Sequence, residues 1–526
     1  MAERSRAAPR GGRGVVTASG QHPLLEGALR AGTGLAFMVA LVVTAIVWVA
    51  ASRPFDPPQQ PTRLYGPDYE AAVLATPPVP ANPRAVVSIT YHAVSDTNLA
   101  FTAVTPQLLS EHLAALKGAG FHTIRLRDLE RLVAGQPVRL PAKPLLLTFD
   151  DGAASDWTVV DPLLKAYHFT AVAFLVTGRL VAPGKPSYYL STREVQQMAA
   201  TGRWDLGCHT NMLHYFAPAP GGRAAALTNR ILVHGRMETL AHWRDRVGAD
   251  LARCQAVFRH LLGHPATAFA YPFGNPDSGT NTPEVADLLP TLLRQAGLDW
   301  AFYDGGVPPG HIDALGSWSD RYGMERIPTR SVTSVANLMT LVRRTLPGEP
   351  VHDLSRPAWR GLGAMCSQAS GIRALTVATR AYGTCTLGDL NTTQWRDYTV
   401  RARLSGLSQH ATGIIAVRDG AGTGYPGRLE VKVGAGRLIV SQQVGKRHYT
   451  VLAKESMAAR PVGSRRDVQI TVRGDRAVVR VTGATPIAVR IDSSLRAGGI
   501  QFRVAAQGQH TVLFEAPTMT PREAGP

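Results

Sequence analysis

Residues 144–152 read Pro144-Leu145-Leu146-Leu147-Thr148-Phe149-Asp150-Asp151-Gly152. The three consecutive leucines predict a short strand that is buried on both faces, which is usual in a parallel sheet. Gly152 predicts a turn, so Asp150 and Asp151 follow the carboxyl end of the strand, where α/β folds carry their chemistry. Two adjacent carboxylates repel each other and resist desolvation unless a cation compensates them. This stretch alone is therefore consistent with a solvated acidic turn or with a functional acidic pair.

The residues on either side of this stretch, from about 85 to 345, alternate between strand and helix patterns. Thr105 followed by Pro106 predicts the start of one helix, and Ser191 with Glu194 predicts a capping box at the start of another. A further helix is predicted around residues 251–262. The predicted strands are 85–90, 145–149, 169–176, 205–208 and 267–271. Repeated β–α alternation predicts an α/β fold with a parallel sheet or barrel wrapped by helices.

His209 and His214 follow the predicted strand 205–208. Neutral imidazole is a common ligand of transition metals, and two histidines with one carboxylate form a recurrent catalytic metal set. A five-residue spacing separates the two rings on an ideal helix. They converge only if His209 ends the strand and His214 lies on the next turn or helix. Unrelated surface or core histidines are the alternative, but a strand end in the domain that also holds Asp150 and Asp151 favours a metal site.

Three motifs of this region, taken in order, resemble those of a known family. They are Thr148-Phe149-Asp150-Asp151, His209-Thr210 with His214, and Tyr271-Pro272-Phe273-Gly274. Together they resemble the motifs of polysaccharide deacetylases with the NodB homology domain (carbohydrate esterase family 4), over about residues 87–342. The resemblance implies a distorted (β/α) barrel at residues 85–345 and an enzyme that hydrolyses N-acetyl groups on a polysaccharide.

The first predicted strand ends in Tyr91-His92, and the spacing between the two motif histidines is long. Both features look most similar to biofilm poly-β-1,6-N-acetylglucosamine deacetylases, and less similar to peptidoglycan or chitin deacetylases. The implied substrate is therefore an amino-sugar exopolysaccharide, with a peptidoglycan- or chitin-type oligomer as the alternative. A polysaccharide synthase is an implied partner.

The resemblance also implies roles for individual residues. Asp151, His209 and His214 would bind one divalent metal ion, most often Zn²⁺. Asp150 would act as the general base, and the backbone N–H of Phe273 would stabilise the oxyanion.

Two positions depart from the family pattern. Ala270 occupies the position of an arginine that orients the base in many members, and the region 326–330 lacks the histidine that supplies a general acid. His92 is a candidate for that acid because it follows a strand, whereas His311 lies in a Gly/Pro loop. These departures leave open a catalytically inactive glycan-binding or adhesion protein.

The N-terminal residues predict a membrane anchor. Residues 1–30 form an arginine-rich tail, and residues 31–52 contain no charged side chain. Such an apolar run is long enough to cross a bilayer, and the arginine excess before it predicts a cytoplasmic tail. A cleaved signal peptide is the alternative. Residues 53–84 are rich in proline and predict an extended linker, so everything that follows is expected outside the cytoplasm as part of a single-pass membrane protein.

Residues 350–520 have a different pattern. Apolar and polar residues alternate in several runs, for example at 398–404, 429–433, 468–472 and 500–504, with Gly-rich turns between them. Period-two alternation predicts an antiparallel β-sandwich. The region is similar to concanavalin-like jelly-roll modules, which implies a carbohydrate-binding module by analogy; a structural or wall-spacing domain is the alternative.

The chain is strongly basic, with a formal net charge of +18. Such a charge is consistent with nucleic acid, an anionic membrane surface or an acidic cell-wall polymer, or with a compositional bias towards arginine. The sequence has no zinc-finger spacing and no RNA-binding signature, so a nucleic-acid partner is not expected.

Four cysteines are scattered along the chain: Cys208, Cys254, Cys366 and Cys385. They predict neither a disulfide framework nor a cysteine-based zinc site. Cys366 and Cys385 flank one short segment and would be able to form a bridge in an oxidising compartment.

Overall fold

The computed structural model describes residues 78–521 of the chain. Short segments within this range are not described: 98–99, 275–279, 306–311, 313, 318, 370–372, 388–390, 393, 421–426, 445–447, 459–460 and 462–463. The predicted tail at 1–30, the predicted anchor at 31–52 and residues 53–77 of the predicted linker lie outside the described residues. Among the helices that are described, none is long and apolar enough to cross a membrane.

Parallel strands of the first half of the described chain form a closed barrel. The strands in this half are β1 (Val87–Tyr91), β2 (His122–Thr123), β3 (Pro144–Phe149), β4 (Ala171–Leu175), β5 (Trp204–Cys208), β6 (Phe216–Ala219), β7 (Gly222–Ala225), β8 (Leu232–Val233), β9 (Arg236–Met237), β10 (Ala268–Ala270), β11 (Trp300–Asp304) and β12 (Met324–Pro328). The barrel order is β1-β12-β11-β10-β5-β4-β3, and β3 pairs back with β1. β2 pairs with the start of β3, and β6–β9 form two small hairpins. The predicted α/β barrel is therefore confirmed.

Helices separate most of the barrel strands. They are α1 (Pro106–Gly118), α2 (Leu126–Val133), α3 (Asp161–Tyr167), α4 (Thr192–Ala200), α5 (Leu240–Leu262), α6 (Val285–Gln295) and α7 (Val335–Thr345). The side chain of Thr105 caps α1, and Ser191 with Glu194 forms the predicted capping box of α4. The helix predicted around residues 251–262 is only the second half of α5, which begins after the cap residue Thr239.

Both faces of β3 are buried, as predicted from its leucines. Leu145, Leu147 and Phe149 pack in a large core cluster with apolar residues of α1, α3 and α4. Leu146 packs in a second cluster that faces the barrel axis and includes Val172, Phe174, Ala270 and Phe302. Each fully buried leucine contributes about 1.5–3 kcal/mol to folding. Because side chains alternate along a strand, Thr148 and Asp150 continue the inward row of Leu146 towards the carboxyl end.

Two antiparallel sheets form the second half of the described chain. Their strands are β13 (Trp359–Leu362), β14 (Met365–Gln368), β15 (Ala374–Thr379), β16 (Tyr382–Leu387), β17 (Tyr398–Ser405), β18 (Ala411–Asp419), β19 (Arg428–Val433), β20 (Arg437–Val444), β21 (His448–Ser456), β22 (Arg466–Arg473), β23 (Arg476–Val481), β24 (Ile487–Arg490), β25 (Gly499–Ala506) and β26 (His510–Pro521). One sheet has the order β13-β16-β25-β18-β19-β20-β21 and the other β14-β15-β26-β17-β22-β23-β24. Apolar residues of both sheets share one core, as the alternating pattern predicts.

All four cysteines form disulfide bonds. Cys366 bridges to Cys385, the pairing that was considered from the sequence, and Cys208 bridges to Cys254. The second bridge was not expected, because 46 residues separate its cysteines along the chain. It joins the end of β5 to the middle of α5, which only the packing of helix against strand brings together.

Candidate active site

The carboxyl ends of the parallel strands bring the predicted site residues to one rim of the barrel. His92 follows β1, Asp150 and Asp151 follow β3, and His209 follows β5. Asp150 lies directly beside β1, because its backbone N–H donates to the carbonyl oxygen of Tyr91 at 3.0 Å. Residues from three separate parts of the sequence can therefore act on one ligand.

Asp151, His209 and His214 form a cluster suited to a metal ion. Asp151 Oδ1 lies 3.6 Å from His209 Nε2 and 3.3 Å from His214 Nε2. One ligand atom from each residue lies within 4.8 Å of the others. Asp151 Oδ1 is buried and accepts no hydrogen bond from any described residue. A divalent cation would compensate this oxygen, so the donor set fits the predicted metal.

The protonation state of His209 also suits a metal ligand. Its Nδ1–H donates to the carbonyl oxygen of Ala270 at 2.8 Å, which leaves the lone pair of Nε2 facing Asp151. Burial lowers the pKa of His209 to about 4, so the ring is neutral near pH 7. Neutral imidazole with one nitrogen fixed by a hydrogen bond is the form that binds metals.

The turn between the two histidines is held by α5. Asp250 accepts hydrogen bonds from the backbone N–H groups of Asn211 at 2.7 Å and Met212 at 2.8 Å. One helical turn later, Cys254 forms the disulfide with Cys208, the residue before His209. The helix thus fixes the start and the middle of the segment that carries both histidines.

Three residues at this rim have left-handed backbone conformations, which are rare for residues other than glycine. They are Asp151 at φ 76°, Thr210 at φ 71° and Phe273 at φ 61°. Each such residue costs about 1–3 kcal/mol and persists where the surrounding structure compensates for the strain. The backbone is therefore strained at all three predicted motifs.

Arg326 on β12 supplies the guanidinium group that Ala270 cannot supply. Its Nη1 and Nη2 donate to Asp150 Oδ1 and Oδ2, each at 2.7 Å. Nη2 also donates to Asp304 at 3.0 Å, and Nη1 to Thr148 at 3.2 Å. Burial raises the pKa of Asp150, but the charge of Arg326, the neighbouring His209 and the hydrogen bonds from Arg326 together outweigh it and hold this pKa below its usual value. The guanidinium therefore keeps Asp150 ionised and oriented.

Arg326 lies in the region 326–330, which drew attention in the sequence for its missing histidine. Ala270 faces the barrel axis from β10, whereas Arg326 enters from β12 and its guanidinium lies 5.5 Å from the ring centre of Phe174. The signal that could have found it is an arginine between Met324 and Ile327 in a short segment that is otherwise suited to a strand.

His92 lies beside the same acidic groups. Its charge contributes to the lowered pKa of Asp150 and opposes the burial that raises the pKa of Asp304. His92 Nδ1 is buried, and no hydrogen-bond partner for it is present among the described residues. The other histidine considered as an acid, His311, lies outside them.

Phe273 forms an apolar wall beside the metal cluster. Its ring centre lies 4.6 Å from that of His214 and 4.2 Å from that of Phe216 on β6. Both phenylalanine side chains are more than 40% exposed, at 41% and 45%. The wall is thus accessible to a ligand that approaches the cluster.

Asp156 is a buried acid at this site that sequence reasoning did not single out. It begins the π-helical turn Asp156–Val160, and neither of its carboxyl oxygens has a hydrogen-bond partner within the described structure. Burial, and then the charges of Asp151 and Asp150, raise the pKa of Asp156 well above its usual value. Burial and the two neighbouring carboxylates therefore favour the protonated form of this acid.

The chain is similar in sequence to known proteins. Residues 138–289 match the family model described as polysaccharide deacetylase. The chain is 29% identical over 265 residues to the poly-β-1,6-N-acetyl-D-glucosamine N-deacetylase of Escherichia coli K12, covering 47% of this chain and 38% of the relative. It is 34% identical over 119 residues to the Staphylococcus epidermidis protein of the same name, covering 21% of this chain and 38% of the relative. The chain thus spans about two fifths of the length of these relatives.

A solved structure of a de-N-acetylase from Aggregatibacter actinomycetemcomitans aligns with a TM-score of 0.42 at 23% identity, covering 49% of this chain and 99% of that one. The segment matched by the family model contains Asp150, Asp151, His209, His214 and Phe273, whereas His92 and Arg326 lie outside it. The chain therefore carries a polysaccharide deacetylase domain, which confirms the family prediction made from its three motifs.

Proposed function

We propose that this protein is a metal-dependent hydrolase that removes N-acetyl groups from an extracytoplasmic polysaccharide containing N-acetylglucosamine. Poly-β-1,6-N-acetylglucosamine is the favoured polymer, because relatives of that printed name match the domain. The observation that carries the proposal is the convergence of Asp151, His209 and His214 next to the ionised Asp150.

Asp151, His209 and His214 would hold the divalent cation, with Zn²⁺ favoured by two imidazoles and one carboxylate. When bound, such an ion polarises the amide carbonyl and makes water a better nucleophile near pH 7. The residues of the chain do the remaining work. Asp150 accepts the proton of the attacking water, since each carboxylate oxygen keeps a second lone pair beside its bond to Arg326.

The oxygen of the scissile carbonyl gains negative charge as water adds to the carbon. The backbone N–H of Phe273 donates to this oxygen, and the left-handed conformation of Phe273 sets the direction of that N–H. When the C–N bond breaks, the sugar nitrogen leaves as an amine and takes a proton from His92. Acetate and a free amino sugar are the products.

The alternative of an inactive glycan-binding protein rested on the missing arginine and the missing late histidine. Arg326 on β12 donates to both oxygens of Asp150, and His92 follows β1, the strand that pairs with β3, which supports roles for these two residues in place of the missing ones. A candidate base, an arginine that orients it and a candidate acid are therefore all available, which supports an active enzyme.

We further propose that the span 31–52 anchors the enzyme in the cell membrane, with the barrel and the two-sheet region outside the cytoplasm. Two disulfides support this location, because such bonds persist in oxidising compartments.

The two-sheet region is proposed to be a jelly-roll module that contacts glycan. A polysaccharide synthase in the same membrane is the proposed source of substrate.

Acetate release from β-1,6- and β-1,4-linked N-acetylglucosamine oligomers, with and without a chelator, tests the activity. We expect release that the chelator abolishes and that added Zn²⁺ restores, with faster turnover of the β-1,6 linkage. Metal-loaded protein that releases acetate from neither oligomer would refute the enzyme. Faster release from β-1,4 oligomers would instead point to the peptidoglycan or chitin type.

The roles of the acidic pair are tested by two substitutions. Asp150→Asn should abolish turnover and leave the metal bound, because the residue is not a ligand. His214→Ala should lose both metal and turnover. Metal content of the purified variants separates the two outcomes, and loss of metal from Asp150→Asn would reverse the assignment of base and ligand.

A further inference from the structure

One outer face of the two-sheet region carries a groove rich in arginine. The groove has a volume of about 790 Å³ and crosses β26, β17, β22 and β23. In the part of the chain that the structure describes, five arginines and two acidic residues line it: Arg373, Arg401, Arg403, Arg465, Arg480, Asp467 and Glu515. None of the residues assigned to deacetylation lines this groove.

Strand register arranges these side chains in two rows across the sheet. Arg401 pairs with Thr518 on one side and Gln469 on the other, and Gln469 pairs with Arg480. The neighbouring row runs from Glu515 through Arg403 to Asp467. Val400, Ala402, Val468 and Ile470, which alternate with these residues, pack in the core. The arginines therefore face outward from a rigid sheet.

The two rows differ in charge compensation. In the second row Arg403 pairs with Asp467 at 2.8 Å, and Arg465 pairs with Glu515 at 3.1 Å. In the first row Arg401 donates to the neutral amide of Gln469 at 3.1 Å, and the row contains no carboxylate. Five arginines against two acids leave the lining with a net charge of +3. Arg373 pairs with Asp353, which lies outside the lining, at 2.6 Å, so the remaining excess positive charge is concentrated at Arg401 and Arg480.

We propose that this groove binds an acidic polysaccharide, whose carboxylate or phosphate groups pair with Arg401 and Arg480. Guanidinium groups bind both kinds of anion in a bidentate manner. The other polar groups suit sugar hydroxyls, because Asp467 and Glu515 accept hydrogen bonds while Gln469 and the threonines both accept and donate. Among the described residues of the lining none is aromatic, so they offer no stacking platform of the kind used for single-stranded nucleic acid.

This ligand differs from the substrate and the product of the proposed reaction. N-acetylglucosamine polymers are neutral, and their deacetylation creates cationic amines that an arginine groove repels. The groove would therefore hold the enzyme on a separate acidic polymer and release the deacetylated chain. The biological role given to the groove rests on the proposed function and location of the protein. The proposal that the groove binds an acidic glycan does not depend on them.

Binding of the full chain in detergent micelles to sodium polygalacturonate and to poly(glycerol phosphate) tests the proposal, with dextran as the neutral probe. We expect binding to at least one acidic polymer and none to dextran. The double variant Arg401→Glu/Arg480→Glu should weaken binding at least tenfold at about 0.1 M salt, since opposed charge now faces the ligand. Arg401→Gln/Arg480→Gln, which disturbs folding less, should weaken it several-fold.

The matched control is Arg437→Glu/Arg496→Glu, which removes the same charge from exposed arginines outside the groove lining. It should change binding less than about twofold. Whichever acidic polymer binds more tightly identifies carboxylate or phosphate as the ligand group. Equal loss in both double variants, no binding to either polymer, or tighter binding of duplex DNA would overturn the proposal. Acetate release from short oligomers should be unchanged in all variants, which separates this test from that of the deacetylase.

Discussion

Arg326 and Asp150 form a buried ion pair at the centre of the candidate site. Both side chains are almost inaccessible, at 0% and 3% exposure. A buried pair of this kind adds little net stability, because desolvation of both charges offsets their attraction. Removing one partner is costly, since the other charge is left buried. The pair is therefore better explained by orientation of the base than by stability.

Replacement of Arg326 by lysine tests this explanation. A lysine keeps the positive charge but cannot donate to both oxygens of Asp150 in parallel. We expect kcat for acetate release to fall roughly 10²-fold with the metal still bound, because small misplacements of a catalytic group have effects of this size. Kinetics and metal content of the purified variant provide the measurement.

Arg321→Lys is the matched control. The guanidinium of Arg321 lies 4.8 Å from the ring centre of Trp300, and Trp300 begins β11, at the end of that strand opposite to the candidate site. Its kcat should remain close to that of the unmodified protein. A normal kcat in Arg326→Lys would contradict the orienting role, and loss of metal would indicate a role in the metal cluster instead.

Among the helices, α5 bears most directly on the metal cluster. Its residue Asp250 binds the turn that joins His209 to His214, and its residue Cys254 is bridged to Cys208. A helix packed on the barrel thus restricts the movement of two ligands that it does not itself carry. Restraint of this kind lowers the entropy that the ligands lose when they bind a metal.

Asp250→Asn is expected to weaken Zn²⁺ affinity by roughly tenfold, because the amide can accept only one of the two backbone hydrogen bonds. Competition with a chromogenic chelator measures the affinity. Asp245→Asn, an exposed substitution on the same helix, should leave it unchanged. Equal affinities for both variants would show that the disulfide alone is sufficient to hold the turn.

His112 on α1 contacts Tyr91 on β1 and Thr333, which precedes α7. We expect its buried position to make the fold sensitive to acid. Its Nε2–H donates to the carbonyl oxygen of Thr333 at 2.8 Å, and its Nδ1 accepts from the Tyr91 hydroxyl at 3.2 Å. Burial lowers the pKa of His112 from 6.5 to about 4. The unfolded chain therefore binds this proton more tightly, and the free energy of unfolding falls as the pH drops from 6.5 towards 4.

The full contribution of His112 between these pH values is about 3 kcal/mol, of which about 2 kcal/mol is lost by pH 5. Urea unfolding at pH 7 and pH 5 measures the difference. In His112→Gln the difference in the free energy of unfolding between pH 7 and pH 5 should shrink by about 2 kcal/mol. The part of this difference that is due to His209 should remain, because its pKa is also lowered by burial. An unchanged difference in the variant would contradict the assignment.

At the scale of the whole molecule, the chain combines a proposed anchor, a predicted linker, the α/β barrel with the candidate site and a two-sheet region. The full-length protein is expected to sediment with membranes and to require detergent for release, because residues 31–52 carry no charge. A chain that begins at residue 53 and follows an export signal should be soluble. Fractionation and immunoblotting measure both, and a full-length protein found only in the soluble fraction would favour the cleaved signal peptide.

Local patterns in the sequence were sufficient to predict the two kinds of fold and most of the site. The leucines of β3 predicted a strand buried on both faces, and the alternation at 398–404 predicted a strand with one face in a core. His209 directly follows a predicted strand and Asp151 lies two residues beyond one, whereas the ligand roles, including that of His214, were implied by the resemblance to a known family. Periodicity and strand ends are properties of neighbouring residues, so they can be read without tertiary structure.

Contacts between distant residues were decided only by the tertiary structure. Arg326 reaches Asp150 across 176 positions because β12 and β3 both pair with β1. The same is true of the bridge from Cys208 to Cys254, of Asp250 at the histidine turn, and of the row that places Arg401 near Arg480. The physical reason is that strand order, register and helix packing follow from the sum of many weak contacts. No single stretch of sequence encodes them.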